Sequence, residues 1–205
     1  LNWMTAGKGI SHSERTPKED RNASSNLSMH GVQIWVGLPL SDEDCEPNFV
    51  HWSKEKLPSV PLNNINGKLL LGKYSGVSSP VKVCSPILFM DVPVSRDFSD
   101  TLSFNEEEIG VFLIKGDCEV NSQTLEADDL IVVADPKSVR IKASEGSHFL
   151  ILGEQPFPEP RYIWWNFVSS SKEKIHAAAN KWKNQEFQKI PGETEFIPLP
   201  DYKLP

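Results

Sequence analysis

His12 and Glu14 stand two residues apart in the stretch Gly7-Lys-Gly-Ile-Ser-His-Ser-Glu14, close to the start of a 205-residue chain. On an extended backbone, positions i and i+2 project to the same face, which would point an imidazole and a carboxylate together. Such a pair suits a borderline cation such as Fe(II) or Mn(II). Two donors do not hold a metal alone. The chain before His12 is too short to add them, so further ligands have to come from another strand.

The other reactive side chains are weaker candidates. His30, His51, His148 and His176 are isolated, and none belongs to a His-x-His pair. At a strand entrance, His30 is expected to face solvent or to be a satisfied structural group rather than to support a ligand from behind. Gln33 is open between a cavity position and a satisfied polar position in a barrel. His51, His148 and His176 lack a carboxylate or thiol at ligand spacing and receive no role. Three cysteines, Cys45, Cys84 and Cys118, form an odd set without zinc spacing or a neighbouring base. They are expected to be inert thiols of a reducing compartment, which makes a cytoplasmic location the expectation. Arg161, Trp164 and Trp165 have the composition of a ligand stack or interface anchor. The expectation is instead that they are buried aromatics pinning a tail helix to a barrel.

Net charge and hydropathy narrow the function classes. The formal charge is -7 and the Lys and Arg residues are scattered, which argues against direct nucleic-acid binding. No run of about 18 apolar residues marks a membrane span. A hydrophobic fraction of 39% supports at least one proper core.

The elements that have to position His12 and Glu14 follow from pattern. Gly7 and Gly9 suggest a turn feeding a short strand that carries both donors, followed by a polar loop over 15–28. Residues 30–38 have the β-branched and aromatic content of a buried strand, ended by Pro39. Residues 41–66, polar and broken by Pro47, Pro58 and Pro61, read as an interdomain connection with one short helix near 52–57. Short strand-like runs then recur at 68–74, 81–92, 109–115, 117–120, 129–134, 139–142 and 148–152, with a hairpin turn across 120–124. This spacing indicates a jelly-roll sandwich or barrel, so the fold class is all-β. In the tail, Ser170-Ser-Lys-Glu173 reads as a capping box, and Ile175, Ala178, Ala179 and Trp182 recur at helical spacing. An extended arm over 191–200 then lies on a surface.

Three blocks carry a family resemblance: Trp3-Met-Thr-Ala-Gly-Lys-Gly-Ile-Ser-His-Ser-Glu-Arg15 with His30-Gly-Val-Gln-Ile-Trp35, then Pro160-Arg-Tyr-Ile-Trp-Trp-Asn-Phe-Val-Ser169, then Pro191-Gly-Glu-Thr-Glu-Phe-Ile-Pro-Leu-Pro200. Together they closely resemble the pirin family of the cupin superfamily, in its bacterial-type form. The resemblance implies two cupin jelly-roll β-barrels, the first only partly present, with a C-terminal α-helix and an extended arm. On that reading residues 1–60 are the end of the metal-binding cupin plus a linker, 61–160 a second cupin, and 161–205 the helix and arm.

Carried over by position, two of the family's iron ligands fall on His12 and Glu14. The family's other two, a His-x-His pair on an earlier strand, precede this sequence, and the chain is expected to be a fragment of a longer protein. The second cupin has no imidazole across 98–104. Its acidic residues Asp100 and Glu106 to Glu108 read as solvated, so that domain is expected to be metal-free.

The resemblance implies mononuclear non-haem Fe(II), conditional on the upstream ligands, and quercetin 2,3-dioxygenase activity on a flavonol-like substrate with O2. Glu14 is then the candidate base. The alternative it implies is a redox-sensitive iron protein that regulates a metabolic enzyme or a transcription regulator by contact, without catalysis. A monomer is expected, cytoplasmic, or also nuclear in a eukaryote.

Overall fold

The computed structural model describes residues 1–16, 30–134, 136–201 and 203. Two short strands, β1 (Asn2–Thr5) and β2 (Asn48–His51), pair with each other. A single 3-10 turn, Lys54–Lys56, follows. Then come β3 (Ser59–Leu62), β4 (Ile65–Leu71), β5 (Lys73–Tyr74), β6 (Val77–Ser78), β7 (Ile87–Pro93), β8 (Phe98–Leu102), β9 (Glu108–Lys115), β10 (Cys118–Val120), β11 (Gln123–Leu125), β12 (Leu130–Ala134), β13 (Val139–Ala143) and β14 (His148–Glu154). The chain ends with the hairpin β15 (Tyr162–Trp164) and β16 (Phe167–Ser169) and the helix α1 (Lys172–Lys183). It divides into two compact units: one of Leu1–Trp3 with Phe49–Pro158, the other of Met4–Asn48 with Glu159–Pro205.

The first unit is an all-β sandwich of jelly-roll type whose sheets stay open. Six strands lie in the order β12-β9-β14-β7-β4-β3 and four in the order β11-β10-β13-β8. Period-2 alternation builds the core. Ile109, Val111 and Leu113 of β9 and Leu88, Met90 and Val92 of β7 turn inward from the larger sheet. From the smaller sheet come Val139 and Ile141 of β13 and Phe98 and Leu102 of β8. A satellite cluster on Leu57, Leu71 and Val81 takes in Trp3 and Trp52.

Most expected strands of this unit are present, with shifted ends. The run over 81–92 becomes a strand only at Ile87, because Pro86 has no N–H to give to a ladder. The expected connection over 41–66 carries β2, β3 and the start of β4 instead. Pro61 is tolerated in β3 because that strand is a sheet edge. The hairpin turn falls where expected: Asn121 and Ser122 take φ of 48 and 70 between β10 and β11, the left-handed pair a tight hairpin needs.

The second unit departs further from the strand pattern. No strand covers residues 6–16 or 30–38. Instead of being buried, Val32, Trp35 and Val36 are exposed. High β-propensity does not make a strand without a neighbour to complete its ladder. The expected loop over 15–28 lies outside the described residues beyond Thr16. The helix forms, but its N-cap is Ser171 rather than Ser170. The Ser171 hydroxyl accepts from the Lys174 N–H at 3.4 Å and donates to Glu173 at 2.6 Å. Ser170 is engaged elsewhere, as described below. Ile175 and Ala179 are buried against Trp164, Tyr162, Phe167 and Leu199, so the aromatics pin the helix to its own hairpin and arm.

Candidate metal-binding segment

Where β1 ends, the chain is turned by two glycines that nothing larger could replace. Gly7 has φ +50, and a Cβ there would lie 2.1 Å from the Cys45 carbonyl oxygen. This close approach allows the Lys8 N–H to donate to that same oxygen at 3.0 Å. Gly9 has φ +123, and a Cβ there would lie 2.4 Å from the Phe187 ring. These two positive-φ positions break the extended run before His12. His12 and Glu14 are therefore exposed and outside regular structure, not on a strand. The i, i+2 strand argument for their common face does not apply.

An imidazole and a carboxylate are donors of the type a divalent cation such as Fe(II) or Mn(II) takes. Their number falls short. Among the described residues no group of three or more His, Cys, Asp or Glu side chains could hold a metal ion. The residues present therefore do not by themselves fit a resident metal.

Arg15, the next residue, makes the best-defined contacts of the segment. Its Nε and Nη2 donate to the two oxygens of Glu193, each at 2.6 Å, and Nη2 lies 3.1 Å from Glu195. The planar guanidinium matches a carboxylate in this forked geometry. Arg15 and the backbone N–H of Glu195 together hold the Glu193 carboxyl down to about 2, and the Arg15 guanidinium is held up in turn.

A second node fixes the segment that follows residue 38. Glu43 is buried and accepts from the Ser170 N–H at 2.5 Å and the Ser170 hydroxyl at 2.8 Å. Lys174 Nζ lies 3.4 Å and Arg161 Nε 3.6 Å away. Arg161 also donates twice to the Leu38 carbonyl, at 3.1 and 2.9 Å. Burial pushes the Glu43 carboxyl up, but the Ser170 and Lys174 hydrogen bonds outweigh it and leave the group below its ordinary value. Arg161 is thus a clamp on backbone, not a ligand stack.

The remaining candidates separate. His30 and Gln33 are exposed. His51 Nδ1 lies 2.8 Å from Asn2 Oδ1. His148 has no carboxylate at sequence spacing but gains one from the fold: Asp91 lies 2.5 Å from its Nε2, supplied by β7 across the ladder from β14. None of the three cysteines is in a disulfide, and burial pushes the Cys118 thiol up to about 11. Glu43, Glu193 and Glu195, which anchor these two nodes, carry no signal in the sequence. Each sits in a polar, proline-punctuated stretch, and only the fold brings it to an arginine.

Comparison with known proteins places this geometry. The pirin C-terminal cupin domain model matches residues 89–188, and the pirin model matches residues 1–36, a span that encloses His12 and Glu14. A pirin-like protein of Caulobacter vibrioides is 35% identical over 204 residues, covering 98% of this chain and 69% of that protein. Human pirin is 26% identical over 191 residues, 90% of this chain and 63% of that protein. Among solved structures, a quercetin 2,3-dioxygenase from Acinetobacter baumannii superposes with a TM-score of 0.86 at 32% identity, covering 98% of this chain and 68% of its own. The chain thus spans about two thirds of the length of each of these relatives. Its open jelly-roll sandwich and terminal helix are of cupin type, and the chain belongs to the pirin family.

Proposed function

We propose that this chain contributes His12 and Glu14 to a pirin-type metal site whose activity is aerobic opening of a flavonol ring, as in quercetin 2,3-dioxygenases. The observation that carries the reading is the 0.86 TM-score, at 32% identity, to a quercetin 2,3-dioxygenase over almost the whole chain. The pirin match enclosing both donors supports the assignment of the site. In this reading the Glu14 carboxylate is the proton acceptor. A flavonol hydroxyl is a weak acid, and a carboxylate within hydrogen-bond reach takes its proton as electrons are drawn toward the ring. His12 orients the neighbouring position. Fe(II) is the metal this reading favours, and the remaining ligands come from outside the described residues.

The test is quercetin consumption under air with Fe(II) supplied, using this sequence within the longest chain its gene encodes. Loss of the flavonol absorbance is expected, with Glu14→Gln slowing it by about a hundredfold or more. Metal bound by the protein with quercetin left intact would instead leave the non-catalytic, redox-sensitive binding role.

A further inference from the structure

The stretch leading to His12 and Glu14 is held at both ends by the chain that follows α1. At one end the Phe187 ring packs on Gly9, closing the space a side chain would need. At the other, the Arg15 fork grips Glu193 and reaches Glu195. Glu193 is also fixed by its own turn. One of its oxygens accepts the N–H groups of Thr194 and Glu195 at 2.8 and 2.9 Å, and its own N–H donates to the Ile190 carbonyl at 3.1 Å.

The arm is in turn fastened to the helix. Trp182 Nε1 donates to the Ile197 carbonyl at 2.8 Å, and the Phe196 ring stacks on Trp182 with centroids 5.2 Å apart. Trp182 belongs to α1, which is anchored by buried Ile175 and Ala179. An unbroken mechanical line therefore runs from the buried face of the helix, through the arm, to the residue adjoining Glu14.

We infer that the C-terminal arm is a strap that fixes the conformation of residues 9–15, with Arg15 as the positioning residue that transmits its hold to His12 and Glu14. Two otherwise mobile donors on irregular backbone become oriented because the arm immobilises the chain on both sides of them. The consequence for metal binding rests on the ligand reading proposed above. The mechanical part does not.

A variant series at Arg15, made in the longest chain the gene encodes, separates the two. Hydrogen exchange of the amides of residues 10–16 is measured by mass spectrometry without metal. Broadening of the His12 imidazole resonances by Mn(II) alone is measured alongside. R15E, which sets like charges against Glu193 and Glu195, is expected to speed exchange of the segment by about tenfold. R15K, which keeps the positive charge and leaves the Glu193 turn intact, is expected to stay within about threefold of the starting protein, with α1 unchanged throughout. Mn(II) broadening of His12 should fall in R15E and persist in R15K. Unchanged exchange in R15E, or R15K as fast as R15E, overturns the strap. Exchange that follows this order with Mn(II) broadening equal in every variant supports the strap and removes the ligand reading. Should R15E also loosen α1, R15Q, which removes the attraction without adding repulsion, is judged by the same criteria.

Discussion

At the scale of single residues, the second unit is organised by carboxylates that meet arginines. For Glu193 the folded-state group lies near 2, against an ordinary 4.5. A carboxyl lowered on folding stabilises above its unfolded value and loses that contribution as pH falls through the folded one. The arm should therefore stay docked at pH 4, where most glutamates begin to protonate, and release only toward pH 2. Resistance of the chain at Phe196 to pepsin between pH 4 and pH 2 checks this, and E193Q should show cleavage that no longer depends on pH in that window. Glu43 carries a different load, since it is buried and meets Ser170, Lys174 and Arg161 at once. Glu43→Ala leaves the Ser170 N–H and hydroxyl without their acceptor in a buried setting, so chemical denaturation should show a loss of about 2 kcal/mol.

At the scale of elements, the helix start is a sharp test. Ser171 caps α1 and Ser170 does not, so Ser171→Ala should lower helix stability by about 1 kcal/mol. Ser170→Ala should instead weaken only the Glu43 contact, and urea melts of the two variants should differ in which region loosens first by hydrogen exchange. The capping-box pattern located the helix to within one residue, because a hydroxyl three residues before an acid satisfies either register until the fold decides which serine is occupied. Among the sandwich strands, the central ones were legible because β7, β9 and β13 carry clean inward alternation and β14 holds an unbroken apolar run from Phe149 to Leu152. The missed ones, β3, β8 and β11, are sheet edges, where one flank faces water and polar residues or a proline interrupt the pattern. At the candidate site the residue types His12 and Glu14 were legible, but their setting was not. Two positive-φ glycines decide that setting, and their need for a bare Cα depends on Cys45 and Phe187, far along the chain.

At the scale of the molecule, the two units offer different handles for watching them unfold. Cys118 is buried between the sheets with its thiol pushed up to about 11, while Cys84 is exposed. The thiolate is the reactive form, so Cys118 should resist a thiol reagent at neutral pH until the sandwich opens. Labelling of Cys118 in step with urea unfolding, after rapid labelling of Cys84, is the expected order, followed by mass spectrometry of tryptic peptides. The second unit reports on itself by light. Trp165 and Trp182 meet edge to face with centroids 5.3 Å apart, beside Phe187 and the arm's Phe196. Indoles this close couple their electronic transitions, so the pair should give an exciton couplet in circular dichroism. A Trp182→Phe variant that loses the couplet assigns it to this pair, which is then a built-in optical gauge of whether helix and hairpin stay packed, readable without a single added label.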